Sequence, residues 1–342
     1  MKNKQFIFVF FIGFSLVLFW SSSPKLPFIV PKGWPKPVYD FGKNPLTEAK
    51  IELGRHLFYD PILSRDSSIS CTSCHLQFTA FTHVDHDLSH GINDRIGTRN
   101  SPALMNLAWS KLFMWDGAIN HLDVQSLAPI SHHAEMDNTI AEVVRRLNRQ
   151  PLYRSLFKTA FGDTVATGER VLKSLSQFML TFVSSNSKYD KVKMGQDSFT
   201  TQENKGYQLF QKNCNACHQE PLFSTYEFAN NGLPVDTTLN DYGRMRITNR
   251  PEDSLKFKIP TLRNIGLTYP YMHDGRFKKL MEVLKHYSQQ VQHSKTLAPE
   301  LKNKITLTAN DRVDLQAFLL TLTDDAEFAK NPKFGFPRKT KS

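Results

Sequence analysis

The chain has 342 residues and a formal charge of +11, long enough for two domains with separate cores and too long for one small module. Its basic residues are scattered rather than gathered on one element, which argues against a nucleic-acid protein and favours encounters with acidic partners. The 26 phenylalanines suit a protein that lines large flat apolar groups, or one that simply packs ordinary cores.

Residues 1–24 begin with Lys2 and Lys4, run apolar from Phe6 to Trp20 and close on Ser21, Ser22, Ser23 and Pro24. That is the layout of a secretory signal. The apolar run falls short of the roughly 20 residues that span a bilayer, yet no Ala-x-Ala site is visible, so cleavage and an uncleaved N-terminal anchor both stay open. Either outcome places the rest of the chain outside the cytoplasm, in the periplasm. No later segment reads as transmembrane, so any membrane contact runs through that anchor.

Residues 25–44 are rich in proline and predict an extended leader. Thr47 is placed to cap a helix over residues 48–59, which Pro61 ends. A polar loop then leads to Cys71-Thr-Ser-Cys74-His75, and the same pattern recurs as Cys214-Asn-Ala-Cys217-His218, using all four cysteines. Four cysteines in an exported chain ordinarily mean two disulfides, and paired Cys-x-x-Cys units also suit a zinc site or redox dithiols. Each of those leaves the adjacent histidine unexplained in both copies. Cys-x-x-Cys-His is the attachment signature of c-type haem: one turn presents two thiols to the two vinyl groups and swings the histidine under the iron.

Apolar residues at three- and four-residue intervals predict helices over residues 139–147, 152–161 and 169–183. The polar stretch 184–199 separates a first domain, residues 45–190, from a second, residues 200–330. Thr200 with Glu203 makes a capping box for a helix through Phe210. A short hairpin is expected around residues 227–235, and a last helix, capped near Thr308 or Asn310, runs to Leu322. The halves echo each other. Gly54-x-x-Leu57-Phe58 is answered by Gly206-x-x-Leu209-Phe210, Arg99-Asn100 by Arg263-Asn264, and Trp115-Asp116-Gly117 by His273-Asp274-Gly275. The fold expected is mainly α: two cytochrome c-like haem domains arranged as a diverged tandem duplication.

The ordered motifs include Leu-Gly-Arg-His-Leu-Phe-Tyr-Asp-Pro-Ile-Leu-Ser at 53–64, Arg99-Asn100-Ser101-Pro102, Phe113 to Gly117, Gln125 to Pro129, Glu135-Met136 and Pro260 to Asn264. With both haem motifs they resemble the bacterial dihaem cytochrome c peroxidases and the MauG-type enzymes that share their fold. The resemblance covers residues 46–322. It implies a peroxidatic haem on His75 with an open or openable face, and an electron-transfer haem on His218. By position in the family pattern, Glu135 would be the general base and acid over the first haem, Gln125 would orient peroxide, and Trp115 would relay electrons. Taken alone, these residues read equally as a surface glutamate, a backbone-bonded amide and core filling. Asn100, Thr268 and Pro270 match positions that hold calcium through one side-chain oxygen and two backbone carbonyls, an oxygen set suited to that ion; the alternative is a plain turn.

Two departures matter. The peroxidases usually place Met opposite the second haem's histidine, whereas this chain has Tyr287 there, as MauG-type enzymes do, with Met272, Met281 and His286 as nearby competitors. A phenolate ligand stabilises ferric iron and lowers the potential. The loop before Arg99 carries His83, His86 and His90, of which His90 lies two residues out of register with the histidine that blocks the resting peroxidatic haem; either it caps that haem or the iron stays five-coordinate. The primary expectation is reduction of hydrogen peroxide with electrons from a small cytochrome c or cupredoxin, by a chain that forms homodimers if it follows family members. The rivals are MauG-type oxidation of a partner protein and a non-enzymatic dihaem electron carrier.

Overall fold

The computed structural model describes residues 24–324 and 328–337; the expected export segment, apart from Pro24, lies outside the described residues. Among the described residues no helix is long and apolar enough to cross a membrane. The architecture is helical, with two hydrophobic clusters, one built mainly from the first half and joined by Leu222, Phe328 and Phe334, the other mainly from the second. The sheet content is slight: Phe228–Ala229 pairs antiparallel with Phe257–Lys258. The hairpin expected near residues 227–235 is therefore not local. Its first strand finds a partner far along the chain, because the intervening residues are taken up by turns and the short helix Met245–Thr248.

Each half is organised by one helix crossing. Glu48–Tyr59 packs on Gly168–Leu180, and Thr201–Asn213 packs on Ala309–Leu320. The caps are where the sequence puts them. Thr47 accepts from the Lys50 N–H, Thr200 and Glu203 form a reciprocal box, and Thr308 does the same with Asp311, each satisfying donors that a helix start leaves orphaned. The helices Ile140–Arg149 and Pro151–Phe161 fill in the first half.

The duplication is visible in the backbone. The Asn106 N–H donates to the Phe182 carbonyl at 2.8 Å and the Asn264 N–H to Leu322 at 2.9 Å. The two amide oxygens repeat the match, accepting from the Ser184 and Asp324 N–H groups. Phe113 bridges Ile119 as Tyr271 bridges Phe277, and Met114 and Met272 share a left-handed backbone. Trp115-Asp116-Gly117 thus corresponds to His273-Asp274-Gly275, as expected. The partner of Asn264, however, is Asn106 and not Asn100. The Arg-Asn dipeptide recurs in sequence, but the asparagine that ties the loop to the returning helix comes six residues later in the first half. Arg99 does different work: it makes a two-pronged bond to Asp241 at 2.6 and 2.9 Å and a third to Asp116 at 2.6 Å.

The stretch after Val183 is more than a polar spacer. Ser187 and Asp190 form a capping box for Lys188–Lys193; Tyr189 packs against Phe223 and Phe318, and Asp190 accepts two bonds from the fully buried Arg263. Polarity hid this helix because Asp190 serves the buried Arg263 while Lys188 and Lys193 pair with Glu203 and Glu220. Residues 25–44 carry turns and no helix or strand. Trp34 lies 4.6 Å over the Arg263 guanidinium and edge-on to Trp109, whose indole donates to the Pro35 carbonyl. It therefore touches both halves.

Candidate functional site

Ser70 and Ser73 cap a single tight turn, Cys71–Ser73, and the His75 N–H closes on the Cys71 carbonyl at 2.9 Å. That presents both thiols and the imidazole on one side. The His75 Nδ1 donates to the Phe81 carbonyl at 2.8 Å, which fixes the tautomer and leaves Nε2 free for a metal. Burial holds the ring down at about 4, so it is neutral and able to ligate at any ordinary pH. Phe81 adopts a left-handed backbone with φ 62°, the bend that aims its carbonyl.

The second copy repeats this arrangement at the end of Thr201–Asn213, whose C-cap is Cys214. The His218 Nδ1 sits between two carbonyls, Phe223 at 3.2 Å and Pro260 at 3.1 Å. Cys214, Cys217 and His218 open onto a mainly apolar cavity that also holds Leu262, Leu284 and Tyr287. Tyr287 lies in a π-helical segment, His286–Gln290, that continues Leu280–Lys285; such bulges are frequent at functional sites because they rotate one side chain off the helical register. Burial pushes the Tyr287 hydroxyl up to about 12. Of its competitors, Met272 also lines this cavity, whereas the His286 Nε2 is engaged by the Asn231 carbonyl at 3.0 Å.

All four cysteines are free of disulfides, and they fall in separate halves. Among the described residues no cluster of three or more His, Cys, Asp or Glu side chains is arranged to hold a bare metal ion. A shared zinc site is therefore not built here. Two thiols, one neutral imidazole locked through its far nitrogen and an apolar hollow are the donor set that covalent haem requires.

Around the first motif the fold gathers Glu135, Cys74 and the His90 loop. The Cys74 thiol faces the His90 carbonyl at 3.5 Å, and the Ile92 N–H donates to the Glu135 carbonyl at 2.8 Å. Gly91 makes this approach feasible, since a β-carbon there would come within 2.3 Å of the Ala134 oxygen. Burial alone raises the Glu135 carboxyl to about 6. The His90 ring lies tilted against that of His86, with centroids 4.1 Å apart. Gln125 ends the short helix Leu122–Gln125 and turns its amide to the Met114 sulfur at 3.8 Å; among the described residues no hydrogen bond joins it to Glu135.

Trp115 lines the His218 cavity and a second cavity that runs from Thr82 and Ser101, beside Cys74, to Thr268 and Pro270. Its indole donates to the Asn100 carbonyl at 2.8 Å. Asn100, Thr268 and Pro270 thus share one cavity with Trp115; the Asn100 amide nitrogen donates to the Asp87 carbonyl. Sequence reading missed Lys258, which also lines both cavities and whose ammonium has the Leu112 carbonyl at 3.2 Å. Burial pulls it down to about 8. No local pattern marks a lysine that becomes buried only through a long-range strand pairing.

The di-haem cytochrome c peroxidase family profile matches residues 48–198, and the cytochrome c profile matches residues 203–323. The chain is 35% identical to the methylamine utilization protein MauG of Methylorubrum extorquens, over 82% of this chain and 79% of that protein. It is 33% identical to the cytochrome c551 peroxidase of Nitrosomonas europaea, over 82% of each. Among solved structures, a MauG-like protein associated with microbial copper homeostasis superposes with a TM-score of 0.82 at 31% identity, covering 91% of this chain and 99% of that one. The match to both profiles and to these relatives implies haem c as cofactor, and the chain belongs to the dihaem cytochrome c peroxidase and MauG family of enzymes.

Proposed function

We propose that this enzyme is an exported, periplasmic peroxidase that reduces hydrogen peroxide to water at the His75 site, with electrons delivered to the His218 site by a small cytochrome c or cupredoxin. The observation that carries this reading is Glu135, a partly buried carboxyl beside Cys74 whose proton is held to about pH 6 by desolvation alone. When bound, haem c supplies an iron that takes a peroxide oxygen and an electron store spanning both domains. Glu135 takes the proton from the bound peroxide and returns it to the leaving oxygen, so that water departs. Gln125 orients the peroxide, and Trp115, bordering both cavities, carries electrons between the domains. Tyr287, which lines the His218 cavity, would hold the iron of the second haem, and His90 would hold that of the first in its resting state unless that iron keeps five ligands. Asn100, Thr268 and Pro270 offer oxygen ligands to a calcium ion next to Trp115, an assignment supported by their common cavity. The net charge of +11 favours a donor with an acidic face.

Tyr287 supports a second reading, in which the enzyme oxidises residues of a partner protein. Steady-state peroxide turnover with reduced small cytochrome c separates the two. Rapid turnover supports the peroxidase; slow turnover with a long-lived oxidised state supports the partner-protein reading.

A further inference from the structure

Peroxide reduction consumes protons as well as electrons: H2O2 with two electrons and two protons gives two waters. The electrons come from the donor protein. The protons come from solvent and have to reach a carboxyl that is largely buried. His132 is the C-cap of Leu127–Ser131, and its Nδ1 lies 3.5 Å from Glu135 Oε1, with the His132 side chain 46% exposed against 29% for Glu135. Once the ring is protonated and Nδ1 carries a proton, a movement of a few tenths of an ångström turns that separation into an Nδ1–H to carboxylate hydrogen bond.

The turn that carries the pair is tightly built. The Glu135 and Asp137 N–H groups both donate to the His132 carbonyl at 3.0 Å, and the Ala134 N–H donates to His132 Nδ1 at 3.3 Å. We propose that His132 is the proton-entry residue of this site, passing protons from solvent to Glu135. The inference rests on the reading of Glu135 as the acid–base group. Solvent charges the exposed ring to imidazolium, the Nδ1 proton passes to Glu135 Oε1, and the neutral ring keeps its proton on Nε2. That tautomer is the one the Ala134 N–H favours by donating to Nδ1.

The surrounding charges suit a relay. His133 stands with its ring 4.8 Å from that of His132. Arg95 bonds the His133 carbonyl and Asp137, and Arg65 pairs with the same Asp137 at 2.7 Å; from the facing loop, Glu135 meets Cys74. Burial and then His133 lower His132 from its ordinary value, while burial raises Glu135. Donor and acceptor are shifted toward each other, the condition for transfer that runs easily in both directions.

The test uses full-length haem-loaded protein carrying His132→Gln, His132→Ala or Glu135→Gln, with covalent haem content and absorption spectrum checked first. Both His132 variants are expected to lose about tenfold or more in kcat, with the KM for peroxide unchanged, a larger solvent deuterium isotope effect and, in His132→Ala, recovery on adding imidazole. Wild-type kcat and isotope effect in both variants, or a loss that imidazole does not restore, overturns the relay. The Glu135→Gln control keeps the two readings apart. An inactive Glu135→Gln beside fully active His132 variants removes the relay alone, whereas a fully active Glu135→Gln removes the acid–base reading beneath it.

Discussion

Gly54 sits so close to Ser174 that a β-carbon on the glycine would meet the Ser174 carbonyl oxygen at 2.0 Å, and Gly206 repeats the contact with Asp314 at 1.9 Å. In each half the helix leading to the haem motif therefore crosses its partner backbone to backbone. An alanine in a helix interior ordinarily adds up to about 1 kcal/mol of stability over glycine. Here the sign reverses. Gly54→Ala and Gly206→Ala are each expected to cost about 2–3 kcal/mol through overpacking, read as a lower denaturation midpoint at unchanged slope.

Glu135→Gln keeps the shape of the side chain and removes the titrating proton. Turnover with peroxide is expected to fall by about 100-fold or more, with both haems still attached. In the wild type the base must be deprotonated to accept the peroxide proton. Because burial raises Glu135 to about 6, kcat/KM should climb as pH rises through that value, and this limb should vanish in the variant.

Tyr287→Met exchanges a phenol for a thioether in the His218 cavity. With Tyr287 as ligand, the substitution raises the reduction potential of that haem, because a thioether favours ferrous iron where a phenolate favours ferric. Spectroelectrochemical titration reads the shift, and an unchanged potential excludes Tyr287 from the iron.

Trp115→Phe deletes the indole N–H that bonds the Asn100 carbonyl, a loss of about 1 kcal/mol in stability. Electron transfer between the two sites should slow while peroxide still reacts at the first. Rapid-mixing spectra of the half-reduced protein separate those two steps.

Arg99 holds Asp241 and Asp116 together, and removing one partner strands the others. Arg99→Met is expected to cost about 3–5 kcal/mol, the range for breaking a buried pair. Burial opposes ionisation of Asp241, but the Arg99 guanidinium outweighs it and holds the carboxyl below its ordinary value. A depressed folded-state value means that the stabilisation is complete above the unfolded aspartate value of about 3.9 and is lost as pH falls through the lower folded one. The deficit of Arg99→Met against the wild type should therefore be full at neutral pH and shrink as pH falls below that value, read from denaturation midpoints across the pH range.

Much of the site was legible in the chain because covalent haem attachment demands a fixed local spacing. Cys71, Cys74 and His75, like Cys214, Cys217 and His218, need only one turn of backbone to be brought together, so their chemistry is written in five consecutive residues. Helix caps such as Thr47, Thr200 and Thr308 were readable for the same reason: their partners lie three residues away. The pairing of Arg99-Asn100 with Arg263-Asn264 misled because a dipeptide match carries no information about which asparagine faces the returning helix.

The sequence by itself determined the two attachment motifs and the helix caps, since each depends on neighbours within a few residues. Only the tertiary structure decided that Gly91 presses its loop onto Glu135, that Gly54 and Gly206 meet the backbones of Ser174 and Asp314, and that Trp115 and Lys258 border both cavities. Burial, and with it every shift in proton affinity at the site, is set by segments distant in the chain, and no local pattern of residue types records which of them will close over a given side chain.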